Sequence, residues 1–286
     1  MTTRQHPSGT VALRRRAYVG GFAAAMLAAC LALGASFGGS RDPAGDPDAD
    51  HVTRHVLTWA DGDAPDPEQP DVSAAFRLNP NRWSTASLPV TVYVNPAGAP
   101  PGAPLEALVD DAVRQWSNVE GSAFAFRYGG VSDATAGACA QDRAQRDGRN
   151  TVIFVNWLPT GTLGMTCTVW SGGAGGPLSE FDIVLNASVA WSWGSTTAPG
   201  TFDLASTVLH ELGHGAGIGH PCQGAGATCT DAERRAVMYP SLRSGEQRNR
   251  LQDDDRAAII EAYPGPPRPP VFNRTVAIVV PGVGRD

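Results

Sequence analysis

Five residues inside one eleven-residue stretch have the types and spacing for metal chemistry: His210, Glu211, His214, Gly217 and His220. His210 and His214 are four apart, so on a helix both imidazoles project from one face and can share a tetrahedral metal. Glu211 lies beside them, within reach of the proton on a metal-bound water but offset from direct ligation. A continuing helix would carry His220 away from the first two histidines. Gly217 permits a sharp exit that returns His220 to the same ion, because glycine adopts positive φ at no steric cost. Three neutral imidazoles leave a fourth coordination position for water, the arrangement of a catalytic zinc, whereas a structural zinc closes all four. Gly213 and Gly215 fit less simply, since each interior helical glycine costs up to about 1 kcal/mol against alanine. Tight packing of the helix and close approach of a substrate would each account for them.

The first two ligands need a helix running from about Leu204 into the histidine stretch, with Asp203 as its cap. A second amphipathic helix is expected over 105–119, where Leu105, Leu108, Val109, Ala112, Val113 and Trp116 recur at helical spacing. Residues 88–95 alternate as a strand, 123–128 and 151–157 are strand-like, and 181–186 reads as a further strand after a Gly-rich loop at 172–176. A last helix is expected over about 254–263. The folded domain thus occupies 76–264. Before it, 41–75 is dense in Asp, Pro, Ala and Gly and cannot bury enough apolar surface to order itself, so it reads as a flexible acidic linker. His51 and His55 fall in that stretch and read as solvated side chains. The end of the chain, 265–286, reads as a Pro-rich tail whose apolar run at 275–280 is too short to span a membrane.

Composition narrows the class. The chain has 286 residues, 42% hydrophobic and 17% charged, which reads as globular. Net charge is −6, and every basic residue apart from the histidines is an arginine. With no basic run beyond the extreme N-terminus, nucleic acid is excluded as a partner. The Ala, Gly, Arg, Asp and Pro bias without lysine is that of GC-rich coding, from which a bacterial source is expected. Arg14, Arg15 and Arg16 precede a charge-free stretch from 17 to 37, so residues 1–40 read as an export signal or signal anchor. Three outcomes are open: ordinary cleavage near 32–36, an uncleaved anchor, and lipidation at Cys30, which ends a lipobox-like 27–30. Each places the rest of the chain outside the cytoplasm, secreted or at the cell surface. Four cysteines then remain, Cys139, Cys167, Cys222 and Cys229, an even number in an oxidising compartment. Pairing of Cys222 with Cys229 across a short loop, and of Cys139 with Cys167, is the favoured one of three connectivities. Their spacing lacks the paired C-x-x-C pattern of structural zinc.

With those residues in place, the chain resembles the metzincin metallopeptidases and, within them, the matrixins. The extended H-E-x-x-H-x-x-G-x-x-H pattern is complete from His210 to His220. Val237, Met238, Tyr239 and Pro240 resemble the matrixin Met-turn, and Leu251, Asp254, Asp255, Ile259 and Tyr263 have the spacing of that family's C-terminal helix. The resemblance implies an α+β, zincin-like fold: a twisted, mostly parallel sheet with a long first helix and the active-site helix, above a small irregular C-terminal part. It implies one catalytic zinc on His210, His214 and His220, with Glu211 as general base and then acid. Met238 would floor the metal site, and Tyr239 and Pro240 would line the pocket for the residue after the scissile bond. Two departures matter. The folded domain has no histidine to spare for a second zinc, and no cysteine stands where a cysteine switch would need one. Asp253, Asp254 and Asp255 are explained by a carboxylate-rich helix start, and calcium stays open.

The expected activity is therefore hydrolysis of peptide bonds by an exported, monomeric endopeptidase. Its partner would be a protein or peptide lying extended along an edge strand, taken to be 181–186. A zinc hydrolase acting on cell-wall peptides and a non-catalytic zinc-binding adhesion module are the alternatives. Contact with a membrane would come only through the N-terminal anchor or a lipidated Cys30. The presence of Glu211 speaks against a purely structural site, which has no use for a base.

Overall fold

A computed structural model describes residues 50–60, 76–140, 143–173, 175–222 and 228–266. The export signal, Cys30 and nearly all of the tail lie outside the described residues. In chain order the strands are β1 (His51–Ala60), β2 (Arg77–Leu78), β3 (Val90–Asn95), β4 (Phe126–Val131), β5 (Asn150–Val155), β6 (Thr162–Trp170), β7 (Leu178–Asn186), β8 (Trp191–Ser192), β9 (Phe202–Asp203), β10 (Ile218–Gly219) and β11 (Ser241–Arg243). The helices are α1 (Leu105–Ser117), α2 (Leu204–Gly215), α3 (Asp231–Arg235) and α4 (Asp253–Ala262). Among the described residues no helix is long and apolar enough to cross a membrane.

The central element is a seven-stranded sheet in the order β11-β1-β6-β7-β5-β3-β4. Neighbours β4, β3, β5 and β7 run parallel, as do β1 and β11, while β6 is antiparallel to both β7 and β1. This is the mostly parallel sheet of the expected α+β fold. Side chains of a strand alternate between faces, and the two faces carry different cores. One is the main core, where Phe181, Ile183 and Leu185 of β7 join Val109, Val113 and Trp116 of α1 and Leu209 and Leu212 of α2. The other is a smaller cluster of Met165, Cys167, Val169, Val184 and Cys139. The Cys139–Cys167 disulfide ties the loop before β5 to β6, and Cys222–Cys229 closes the segment after His220. Both pairings are the favoured ones.

Two expectations are corrected. Part of the supposed linker is strand: β1 runs antiparallel to β6 with His51 opposite Trp170 and Leu57 opposite Gly164, and parallel to β11. The Pro- and Asp-rich flanks dominate the composition of 41–75, but residues 51–60 themselves are rich in β-branched and aromatic types, which fit a pleated surface. Residues 61–75 lie outside the described residues. The second correction concerns the edge strand. The 181–186 run belongs to β7, which is interior, because β5 occupies one of its hydrogen-bonding sides and β6 the other.

Candidate metal centre

Helix α2 carries the first two histidines and starts where its cap predicts. Asp203 accepts from the Ser206 N–H at 2.9 Å, satisfying one of the donors a helix N-terminus leaves free. Further along, the Trp116 indole donates to the Leu209 carbonyl and the Trp83 indole to the Gly215 carbonyl, which fix the helix against α1 and the segment before β3. The helix ends at Gly215, and Gly217 has φ +88°, the left-handed conformation expected of it. Its backbone also passes so close to the Asn81 carbonyl that a Cβ would sit 3.1 Å from that oxygen. The Tyr263 hydroxyl donates to the Ala216 carbonyl at 2.8 Å and so holds the same exit from the C-terminal side.

The exit brings His220 back to the other two. Its Nε2 lies 3.0 Å from His214 Nε2 and 3.3 Å from His210 Nε2. A carbonyl can only accept, so the contacts of His210 Nδ1 to the Val237 carbonyl (2.7 Å) and of His214 Nδ1 to the Ile218 carbonyl (2.8 Å) place the proton on Nδ1. Both Nε2 lone pairs therefore face the centre of the cluster. Burial holds the rings neutral: His210 is lowered to about 3, and His214 and His220 are lowered well below the usual histidine range. With His220 as its Nδ1–H tautomer, three Nε2 lone pairs face one point, where a cation would hold them together. Zinc–nitrogen bonds of about 2.0–2.1 Å in tetrahedral array set nitrogens roughly 3.3 Å apart, so the spacing fits zinc. Among the described residues this is the single cluster of three or more histidine, cysteine or acidic side chains able to hold a metal.

Glu211 lies beside the cluster and is fully buried. The Thr166 hydroxyl is 2.5 Å from its Oε2, while Oε1 makes no hydrogen bond of normal geometry with the protein. Thr166 and the Leu57 N–H use only part of the carboxylate's acceptor capacity, which leaves lone pairs able to accept from a water at the centre. Burial pushes the carboxyl up to about 8, with the Thr166 hydroxyl and the Leu57 backbone N–H pulling it down. A divalent cation in the cluster favours the ionised form further. The approach of β6 to Glu211 requires Gly164, where a Cβ would lie 2.7 Å from Oε1.

Met238 is 1% exposed, with its Sδ 2.2 Å from where a Cβ on Gly213 would be. Gly215 is blocked in the same way by the Phe181 ring at 2.8 Å. Packing therefore accounts for both glycines. Tyr239 and Pro240 are half-buried; the Pro240 carbonyl accepts from the Thr58 N–H of β1 at 3.2 Å, and the Arg248 guanidinium lies over the Tyr239 ring. His55, read from sequence as solvated, instead stacks on His214 with ring centroids 4.5 Å apart, and burial lowers it to about 4. Two important residues are absent from the sequence reading, and a third, Asp255, is read there only as part of a helix start. Thr166 and Gly164 sit on β6, whose alternation of Leu163, Met165, Cys167 and Val169 with Thr and Gly is a strand signal. Asp255 accepts from the N–H groups of Val237 and Met238 at 2.9 and 3.0 Å, so the acidic start of α4 is what shapes the Met-turn. No local pattern distinguishes it from Asp253 or Asp254.

A cleft of about 720 Å³, lined by Tyr93, Asn95, Val131 and Arg149, opens at the β3–β4 edge and takes in none of these residues. Comparison with known proteins agrees with the geometry. Metalloendoproteinase 1-MMP of Arabidopsis thaliana is 39% identical over 61 residues, which is 21% of this chain and 14% of that relative. The match thus spans far less than the relative's whole length. The sequence model of the matrixin family, peptidase family M10, matches residues 82–264, from the segment before β3 through the histidine cluster to the end of α4, and the chain belongs to that family.

Proposed function

We propose that this chain is an exported zinc-dependent endopeptidase whose catalytic domain holds one zinc on His210, His214 and His220. The observation that carries this reading is the convergence of the three Nε2 atoms, with the buried Glu211 carboxylate next in sequence to the first of them. Zinc bound there supplies a Lewis acid that polarises a peptide carbonyl and makes a water more acidic. The protein's own groups do the rest. Glu211 takes the proton of the attacking water at Oε1 and returns it to the leaving amine. Thr166 holds Oε2, so the carboxylate keeps one orientation through both transfers. The Val237 and Ile218 carbonyls hold His210 and His214 in the tautomer that presents Nε2. Met238 floors the centre, and Tyr239 and Pro240 border the pocket for the residue after the cleaved bond. Export is supported by the residue 1–40 pattern and by two disulfides, which persist outside the cytoplasm.

The test is peptide cleavage by wild type and Glu211→Ala at matched zinc content. Zinc should stay bound in the variant, because all three ligands remain. Cleavage should fall by about 10²–10⁴-fold, the usual worth of positioned acid–base catalysis. Equal rates in the two proteins would show that Glu211 is not the base.

A further inference from the structure

Residues 237–240 belong to no helix or strand, so side chains from elsewhere must hold them. The two halves of this turn have different holders. Asp255 accepts the N–H groups of Val237 and Met238, the half whose Val237 carbonyl orients the His210 ring. Arg248 holds the other half. Its guanidinium donates to the Ala236 carbonyl at 3.2 Å and to the Ser241 carbonyl, one residue before the turn and one after it. Between those anchors it lies over the Tyr239 ring, 5.4 Å from the centroid, where a cation is attracted to an aromatic face. The Tyr239 hydroxyl is 4.0 Å from the Cys229 sulfur, so the ring is met at its face and at its tip. Arg248 is itself fixed: its Nε pairs with Glu246 at 2.7 Å, and its backbone N–H donates to Ser206 Oγ of α2 at 2.7 Å. Its side chain is 9% exposed.

We propose that Arg248 is a positioning residue that clamps Tyr239 and Pro240 as a fixed wall, and so sets which side chain is accepted after the cleaved bond. The selectivity rests on the endopeptidase reading; the clamp does not. A buried ion pair contributes little net stability, because desolvation offsets the attraction. What this one adds is geometry, since the contacts of the guanidinium with Ala236, Tyr239 and Ser241 all fall within 236–241. Only a planar fork can bond two carbonyls and stack on a ring at once, which an ammonium on a flexible stem cannot do. One methylene more or less in an apolar pocket changes cleavage by about 10–200-fold, and that discrimination needs walls that stay in place. A Tyr239 ring released from its clamp would admit small and large side chains on more equal terms. The pocket half of the turn is thereby separable from the metal half, which Asp255 holds.

The test uses the full zinc-loaded chain with 3-fluorotyrosine in place of Tyr239, as wild type, Arg248→Lys and Asp255→Asn. The lysine keeps the charge and loses the fork and the stacking. Three quantities are read: the fluorine resonance, the zinc affinity, and kcat and KM for four peptides. The peptides differ only in carrying alanine, valine, leucine or phenylalanine after the cleaved bond. Arg248→Lys should move the fluorine resonance and weaken zinc less than Asp255→Asn does. It should raise KM for the preferred peptide about tenfold with kcat little changed, and shrink the ratios of kcat/KM among the four by about threefold or more. Should Arg248→Lys fold poorly, Glu246→Gln, at a partly exposed carboxylate, should move the same quantities in the same direction by less. An unmoved resonance, or four peptides slowed by one common factor, would overturn the proposal. So would a loss of zinc affinity equal to that of Asp255→Asn. A moved resonance, with no peptide cleaved by wild type, would support the clamp and remove the endopeptidase reading alone.

Discussion

Gly213 sits one residue before a metal-binding candidate, in the middle of a helix, where glycine is a poor choice on propensity alone. A Cβ there would lie 2.2 Å from Met238 Sδ and 2.7 Å from Trp116 Cζ2, both fully buried side chains. Two effects oppose each other in Gly213→Ala. Alanine favours the helix by up to about 1 kcal/mol, whereas overpacking a closed core costs about 1–3 kcal/mol. The indole is rigid and held by its bond to the Leu209 carbonyl, so relief must come from Met238, whose neighbour Val237 holds the His210 ring. The expected outcome is a net loss of stability, read as a lower denaturant midpoint at unchanged slope. Zinc affinity should weaken with it. A midpoint at or above that of wild type would show that the core yields at no cost.

At the scale of elements, two buried carboxylates join segments far apart in sequence. Asp255, in the first turn of α4, accepts the N–H groups of Val237, Met238 and Gln252. Asp255→Ala leaves the buried Val237 and Met238 donors without an acceptor, at about 1–3 kcal/mol each. Asp255→Asn keeps one oxygen and should fall between. Thermal unfolding and zinc titration of both variants check this, and equal behaviour of Ala and Asn would refute it. Asp182, on β7, accepts from the Ala138 and Thr151 N–H groups at 2.8 Å each. Burial is the larger influence and pushes its carboxyl up to about 8 from 3.8, with the two donors pulling the other way. The folded chain therefore keeps the proton to about pH 8 while the unfolded chain releases it above about pH 4. The stability this group contributes is whole below about pH 4 and is lost as pH rises through about 8. Wild type should show that decline in unfolding temperature, and Asp182→Asn should lack it while being less stable at low pH. A variant whose decline matches that of wild type would assign the titration to another group.

For the molecule as a whole, the metal is expected to be part of the fold. The three histidines come from α2 and from the segment after its exit, and burial has already stripped them of water. Binding to the folded state alone adds RT ln(1 + [L]/Kd), about 2.7 kcal/mol at a hundredfold excess over Kd. Chelation should lower the unfolding temperature, zinc should restore it, and His220→Ala should show neither response. Glu211→Ala should keep the full response, which separates loss of metal from loss of the base. No change in the unfolding temperature on chelation would mean that the cluster is stable without a cation.

The sequence by itself determined the parts whose signals are short in range. Helical spacing put His210 and His214 on one face, Gly217 marked the turn that returns His220, and Asp203 marked the cap. Each depends on residues a few positions apart, and each lies as expected. The cysteine pairings were also legible, because few connectivities exist for four cysteines. Only the tertiary structure decided what Gly213 and Gly215 avoid, which of three consecutive aspartates shapes the Met-turn, and where 51–60 goes. β1 carries β-branched and aromatic residues, but its flanks are those of a linker, and nothing local says which edge it meets. Strand pairing is decided by donors and acceptors more than a hundred positions away along the chain. His55 shows the consequence most plainly: among acidic and proline-rich neighbours in the sequence it reads as solvated, and in the fold its ring lies against the metal site.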